Sequence, residues 1–426
     1  MSKQSDVIVL GAGIVGVSTA LHLQARGRAV TLVDRSEPGG ETSHGNAGLI
    51  ERASVIPYAF PRDLGTILAY ASNQATAVRY RPTYLARILP WLARYWWHSN
   101  ARRLHATALE MLPLIECCIT EHERFIEPAG VASLFRNEGW IELYRSNPAL
   151  AQAVETVTAL SEFNLNYDVL DTPSLKRREP ALHGDVVGAV HWRDPMTVSD
   201  PGAVTRAYAD LFVARGGEVV AANALSLIGG GTHWRIANEQ SAYRARDVVI
   251  ALGPWSSDLC RQLGYNFPIA YKRGYHMHYE SAGEHELRHP ICDAEAGFVV
   301  SPMTRGIRLT TGIELADRDA PSGPRQLAQA EAIARQSFCL GRRIDPTPWL
   351  GSRPCLPDMK PIIGKAMRHS RLWFNFGHAH HGFTLGPVTG RLLAEMMTGA
   401  KTFTDPRPFA PSRFSNCRRV TVCQPS

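Results

Sequence analysis

Only eight of the 426 residues are cysteine, at positions 117, 118, 260, 292, 339, 355, 417 and 423. None forms a Cys-x-x-Cys pair or stands at zinc-ligand spacing from histidine. That excludes a disulfide-built mini-scaffold and a zinc module, and it suits free thiols in a reducing compartment, so a cytoplasmic location is expected. Charged residues are also few, at 20%, and the net charge of +7 is not gathered into any basic run. The excess is a mild bias toward anionic small molecules or anionic lipid, and no nucleic-acid partner is expected. Repeats and low-complexity tracts are missing. With 45% hydrophobic residues the chain can bury a large core, and its length suits two or three domains. One uncharged stretch, 7–25, is long enough to raise the question of a membrane span. It is interrupted by Gly11, Gly13, Gly16, Ser18, Thr19, His22 and Gln24, and it lacks a small-residue cleavage site.

A better account of that stretch lies in its pattern. Val7-Ile8-Val9-Leu10 is a continuous apolar run, as a central parallel strand requires. Gly11-Ala12-Gly13-Ile14-Val15-Gly16 follows at once. Ile14, Val17 and Leu21 then recur at helical spacing, and Gly27 stands where the helix must stop. A second apolar run, 29–33, ends at Asp34, 18 residues after Gly16, close to the spacing of a dinucleotide-binding unit. In such a unit Gly11 permits the tight turn, Gly13 admits a pyrophosphate, Gly16 lets helix and strand pack closely, and Asp34 accepts from ribose hydroxyls. The helix N-terminus offers free N–H groups and the positive end of its dipole to the phosphates. The polar loop 38–48 is longer than a nicotinamide unit needs, which favours a cofactor that reaches further, such as a flavin.

Residues 81–127 read as helical, with breaks at Pro82, Pro90 and Pro113. Here Trp91, Trp96 and Trp97 mix with Arg87, Arg94, Arg102 and Arg103. That pattern suits either helix packing or peripheral contact with the inner membrane. Helices are expected at 147–163 and 203–214, and strands near 224–228, 233–237, 243–245 and 248–251, with a hairpin turn at Gly229-Gly230-Gly231. Residues 273–280, 297–301 and 306–311 alternate as antiparallel strands do. Near the C-terminus a strand at 372–376, a loop at 377–382 and a helix at 383–398, stopped by Gly399, precede a tail at 413–426.

The segments VLGAGIVGVSTALHL, ETSHGNAGLI, VVIALGPWSS, KRGYHMHY and WLGSRPCLPDMKPIIG, followed by LWFNFGHAHHGFTLGPVTG, carry a resemblance. Over nearly its whole length the chain resembles the FAD-dependent D-amino acid oxidase superfamily, most closely its bacterial D-amino acid dehydrogenase branch. The resemblance implies an α/β (overall α+β) fold. A Rossmann-like FAD-binding domain would be assembled from 1–80, 180–265 and 346–412, and a substrate domain with an antiparallel sheet from 81–179 and 266–345. It implies FAD held at the pyrophosphate by Gly11, Gly13, Ile14 and Gly16, and at the adenosine by Asp34 and Arg35, with Leu225 at the adenine. Ser43, Asn46, Ala47, Gly48 and Leu49 would run beside the isoalloxazine, and Ala251, Gly253 and Trp255 along the cofactor midsection. Gly382, Phe383, Thr384 and Leu385 would open a helix whose dipole faces the flavin N1–C2=O edge.

Gly351-Ser352-Arg353-Pro354-Cys355-Leu356-Pro357-Asp358 matches the family motif G-x-R-P-x-x-P-D. By that match Arg353 binds the substrate carboxylate, for which a charged, two-pronged guanidinium is suited. Tyr275 lies on a strand that borders the family's substrate pocket, so its phenol is either an orienting group or a core aromatic. His44, His378, His380 and His381 lack metal-ligand spacing, so no metal is expected. Cys355 stands where sarcosine oxidases carry a covalent flavin cysteine, but Arg353-Pro354 does not fit that subgroup, so non-covalent FAD is expected. The implied reaction is oxidative deamination of a D-amino acid to a 2-oxo acid and ammonia. Hydride passes from the α-carbon to flavin N5, and quinone or oxygen is the electron acceptor. The same groups would serve a D-imino acid dehydrogenase acting on D-proline or cis-4-hydroxy-D-proline, or a glycine or sarcosine oxidase. A further alternative is the flavin subunit of a multi-subunit dehydrogenase, although no cluster-type cysteine spacing is present.

Overall fold

The N-terminal apolar run extends into a strand, Ser2–Leu10, at the centre of a parallel sheet. In this computed structural model, which describes residues 2–229 and 232–414, the sheet runs in the order Glu218–Ala221, Val30–Asp34, Ser2–Leu10, Ala242–Ile250 and Leu372–Phe376, all parallel. Ile362–Lys365 adds an antiparallel strand beyond Leu372–Phe376, and Trp234–Ala237 turns back on the first half of Ala242–Ile250. Ile8, Val9 and Leu10 are buried, as befits strands covered on both faces. The chain leaves the first strand through a turn whose Gly13 caps helix Ile14–Gln24 (the glycine-turn helix), and Gly27, at φ +75°, ends that unit. The uncharged stretch 7–25 is thus a strand, a turn and a helix. Among the described residues no helix is long and apolar enough to cross a membrane.

The C-terminal helix, Gly382–Thr398, packs along the glycine-turn helix and stops at Gly399, φ +69°. Contact is backbone to backbone: a Cβ on Gly390 would lie 2.8 Å from the Thr19 nitrogen, and one on Gly386 3.2 Å from Ile14.

A second sheet of eleven strands has Ala270–Ser281 as its spine. Gly306–Thr311, Ile313–Leu315, Leu340–Arg343 and Trp349–Cys355 all pair with it antiparallel. The sheet continues through Phe298–Met303, Ile291–Asp293, Trp140–Tyr144, Gly188–Trp192 and Tyr167–Asp171. Gly188–Trp192 and Trp349–Cys355 therefore belong to this sheet, whereas the expected division gave 180–265 and 346–412 to the nucleotide unit. Membership is decided by hydrogen bonds to distant strands, and local pattern does not record them.

Other local expectations shift for similar reasons. The helical stretch 81–127 is four helices, Pro82–Arg87, Leu89–His98, Ala101–Glu116 and Cys118–Ile126. Pro82 and Pro90 sit in first turns, where no N–H is needed. Pro113 lies inside a helix, and the break falls at Cys117 instead. The two strands expected at 243–245 and 248–251 are one, because Ala242–Ile250 serves different neighbours along its length. Residues Ala224–Ser226 form a 3₁₀ turn before the short strand Ile228–Gly229. Gly230 and Gly231 of the expected hairpin turn lie outside the described residues. The expected tail begins inside ordered structure: Arg413 pairs with Asp358 at 2.7 Å. Residues 415–426, with Cys417 and Cys423, lie outside the described residues.

Candidate active site

A cavity of about 900 Å³, at the large end for a small-molecule site, is lined by residues of both sheets. One end holds the glycine turn. A Cβ on Gly11 would meet the Ala251 carbonyl oxygen at 2.4 Å, and one on Gly16 the Gly11 carbonyl oxygen at 1.7 Å, so these two glycines let the backbone close up. Gly13 meets only the Ser43 hydroxyl, at 3.3 Å, and faces the cavity. Ile14 donates its N–H to Ser43 Oγ at 3.0 Å. Asp34 accepts from the Ala12 N–H at 2.6 Å and the Ser36 N–H at 3.0 Å, so it ties the turn to the second strand. Its carboxylate keeps lone pairs for a ribose. Arg35 stacks on Trp255 at 4.6 Å, and Leu225, Ala251 and Gly253 complete this end.

Ser43, Asn46, Ala47 and Leu49 line the middle, as do Gly382 and Phe383 at the head of the C-terminal helix. Asn46 Oδ1 accepts from the Gly48 and Leu49 N–H groups at 2.8 and 3.1 Å, which folds the loop. Four residues expected at the cofactor stand behind the wall: Gly16, Gly48, Thr384 and Leu385 do not line the cavity. Gly48, at φ +79°, makes the turn toward Val198. Thr384 Oγ accepts from the Glu51 N–H at 3.1 Å and buttresses the loop.

FAD fits these residues. Two helix N-termini open on the cavity, and lining side chains have buried polar atoms without a hydrogen-bond partner among the described residues at Thr42 Oγ, Thr310 Oγ and Asn375 Oδ1. The glycine turn suits the phosphates and Asp34 the ribose. The 43–49 loop with Gly382 and Phe383 suits the ring system.

The far end is built by alternation along Ala270–Ser281, whose successive side chains face opposite ways. Arg273, Tyr275 and Met277 point away from the cavity centre. Arg273 is buried and donates to Glu314 at 2.6 and 3.0 Å. The Tyr275 hydroxyl donates to Glu314 at 3.1 Å and accepts from the Gly323 N–H at 2.9 Å. Although Tyr275 borders the cavity, its phenol is occupied on the far face. Of the two readings of Tyr275, these bonds favour the core aromatic over the orienting group.

Lys272 and Gly274 share the opposite face, and Arg353 stands directly across from Lys272. The Arg353 guanidinium lies over Gly274, where a Cβ would come within 2.9 Å of it. No hydrogen bond or ion pair with any described residue engages it. Burial lowers its pKa from the usual value, with Cys355, Tyr58 and Glu51 acting the other way. Lys272 donates to the Tyr95 hydroxyl at 3.0 Å. Burial works against its charge, but Tyr95 and Cys355 outweigh that and hold its pKa up. His380 is held neutral, far below the usual histidine range, by burial and then by Arg353 and Lys272. His378 is pushed to about 3 by burial and meets Thr389 Oγ at 3.0 Å. His44 packs against His276 and against Trp349, which lines the cavity, and does not itself line it. Burial raises the Cys355 thiol.

Sequence reasoning missed Glu51, Tyr58, Glu142 and Tyr95 among the lining residues. Strict alternation could have paired Lys272 with Gly274 and excluded Tyr275. No local signal marks Glu51 or Glu142.

The chain matches the DAO family, described as FAD dependent oxidoreductase, over residues 6–396. It is 30% identical to the D-amino-acid oxidase of Bradyrhizobium diazoefficiens, over 97% of this chain and 100% of that one. It is 28% identical to the D-amino acid dehydrogenase of Sinorhizobium medicae, over 96% and 99%. Among solved structures, glycine oxidase from Geobacillus kaustophilus superposes with a TM-score of 0.74 at 17% identity, over 96% and 98% of the two chains. That is a likeness of fold.

Proposed function

The chain belongs to the DAO family of FAD-dependent oxidoreductases, and on that premise we propose that it oxidises D-amino acids to 2-oxo acids and ammonia. The observation that carries this reading is Arg353, a half-buried cation lining the cavity with no hydrogen-bond or ion-pair partner among the described residues. The bound cofactor supplies the two-electron acceptor. Arg353 grips the substrate carboxylate with two parallel hydrogen bonds, and Gly274 leaves the room for it. Lys272, opposite in register, adds positive potential at the same end. Tyr58, Tyr95 and the neutral His380 wall this end. The substrate loses two electrons and two protons to become a 2-imino acid. Water then adds at the imine carbon and ammonia leaves. The names of the two curated relatives support the D configuration.

The test is anaerobic mixing of the purified flavoprotein with D- and L-amino acids, D-proline, glycine and sarcosine. Bleaching by D-amino acids, with 2-oxo acid as product, is expected. Bleaching by D-proline, glycine or sarcosine alone would transfer the assignment to the imino acid or glycine oxidase alternatives.

A second observation bears on the electron acceptor. Helix Leu64–Ala71 buries none of its residues, and Leu64 and Leu68 are 76% and 70% exposed. Leu89, Trp96 and Trp97 add exposed apolar surface, with Arg62 over Trp96 and Arg103 over Trp97 at 4.3 and 4.0 Å. The same two helices send Ile67, Tyr70 and Leu92 to the cavity lining, and the intervening helix Pro82–Arg87 sends Leu85. An apolar face with basic flanks suits an anionic lipid surface and gives a quinone a path to the cavity. Trp91, grouped with this face from sequence, is buried and donates to the Pro268 carbonyl at 3.1 Å, so it takes no part.

A further inference from the structure

Elsewhere in the protein most buried carboxylates are matched by arginines, Glu179, held by His289 and backbone N–H groups, being the exception. Glu121 pairs with Arg124 and Arg391, Asp293 with Arg145, Glu314 with Arg273, Asp358 with Arg413, and Glu331 with Arg335 and Arg343. Besides Asp34, which accepts from backbone N–H groups at the glycine turn, two half-buried carboxylates lining the cavity have no cation beside them. Glu51 accepts from the Ser54 hydroxyl, and Glu142 accepts from the Trp192 indole N–H at 3.3 Å and from the Tyr144 side chain. Neither has a Lys, Arg or His partner among the described residues.

Register explains how Glu142 reaches the cavity. Glu142 stands beside Cys292, Cys292 beside Val299, and Val299 beside Thr310, in one row across four strands. That row ends at His276, on the face of Ala270–Ser281 that also carries Lys272 and Gly274. Glu51 arrives from the 43–51 loop. It lies within electrostatic reach of Arg353 and of Glu142, and Tyr58 feels both carboxylates. Burial raises the Glu142 pKa, as expected for a carboxylate without a counter-ion. The cavity therefore has a free cation at one point and unmatched carboxylates at another. Leaving a carboxylate desolvated and unmatched is costly, and a cationic ligand removes that cost on binding.

We propose that the site is built for D-amino acids whose side chain ends in a cation: Arg353 takes the α-carboxylate, and Glu51, backed by Glu142, takes the side-chain ammonium or guanidinium. This rests on the reading of the site as a D-amino acid oxidising centre and names its substrate class. A neutral side chain leaves both carboxylates unmatched, and an acidic one sets like charges together.

The test compares D-lysine and D-arginine with D-norleucine and D-glutamate on the holoenzyme, using a dye acceptor. D-Lysine is expected to exceed the near-isosteric D-norleucine in kcat/KM by roughly tenfold or more, as for a charge-assisted pair, with D-glutamate poorest. Glu51→Gln, checked for flavin content and Tm, should shrink the D-lysine to D-norleucine ratio toward one, mainly through KM for D-lysine. Glu142→Gln, a second variant should the first fail to fold, should shrink it partway. Oxidation of D-norleucine with no advantage for D-lysine overturns this inference alone, as does an unchanged ratio in both variants. Failure of every D-amino acid to reduce the flavin overturns the underlying reading and this one together.

Discussion

Arg353 meets no partner among the described residues, so its side chain can be changed with little direct effect on packing. Arg353→Lys keeps the charge but loses the two-pronged geometry, and Arg353→Met loses both. Truncating one side of a desolvated charge pair costs about 2–5 kcal/mol. Steady-state kinetics on a D-amino acid should therefore show kcat/KM lower by a factor on the order of 30 to 5 × 10³, more in the Met variant. Flavin content and Tm should change little. Near-normal kinetics in Arg353→Met would move the carboxylate to Lys272, because Arg273 is already committed to Glu314. Asp34 behaves differently, since it accepts from the Ala12 and Ser36 N–H groups as well as facing the cavity. Asp34→Ala should weaken FAD binding by roughly 1–3 kcal/mol and also lower the Tm of the apoprotein. Equal flavin retention under limiting FAD would remove the ribose role.

At the scale of elements, the site depends on two helices held backbone to backbone. A side chain at Gly390 would press on Thr19 and Ser18 of the glycine-turn helix. Gly390→Val must part the two helices, at a cost of about 1–3 kcal/mol for overpacking. Both helices present their N-termini to the cavity, so thermal unfolding and FAD titration should both register the change. The exposed helices give a second expectation. Replacing Trp96 and Trp97 with serine, together with Leu64 and Leu68, should reduce cosedimentation with anionic vesicles while dye-linked turnover persists. Unchanged partitioning would exclude this face as the lipid contact.

For the whole molecule, acid is the expected route to instability. Burial pushes His122 to about 4, with partial compensation from its bond to the Phe383 carbonyl, and it pushes His191 to about 4 and His22 to about 3. Their folded-state values lie below the ordinary 6.5, so the unfolded chain takes up protons first. Their stabilising contribution is complete above pH 6.5 and is lost as pH falls toward 4. At pH 5 the loss is on the order of 1–2 kcal/mol for a fully buried histidine such as His122. Unfolding of FAD-saturated protein at pH 7.5, 6 and 5 should show falling stability. His122→Gln, less stable at pH 7.5, should show a shallower fall. A flat profile would contradict the burial argument.

The nucleotide-binding half was legible because its chemistry is local. A strand, a glycine turn, a helix start and an acidic strand end lie within 7–34, and the physics that selects each residue acts over a few positions. Arg353 was singled out by a motif of the resemblance that begins on the strand Trp349–Cys355 and runs past its end. Tertiary structure alone decided which neighbours of that arginine matter. Alternation and pairing turned Lys272 and Gly274 toward it, and sent Arg273 and Tyr275 to Glu314 on the other face. It also placed Gly188–Trp192 and Trp349–Cys355 in the larger sheet, and brought Glu51 and Glu142, 91 positions apart, to one cavity. An isolated glutamate in sequence carries no sign of whether a cation will meet it. That depends on which distant strands share an edge, and the edge is chosen by packing of the whole chain.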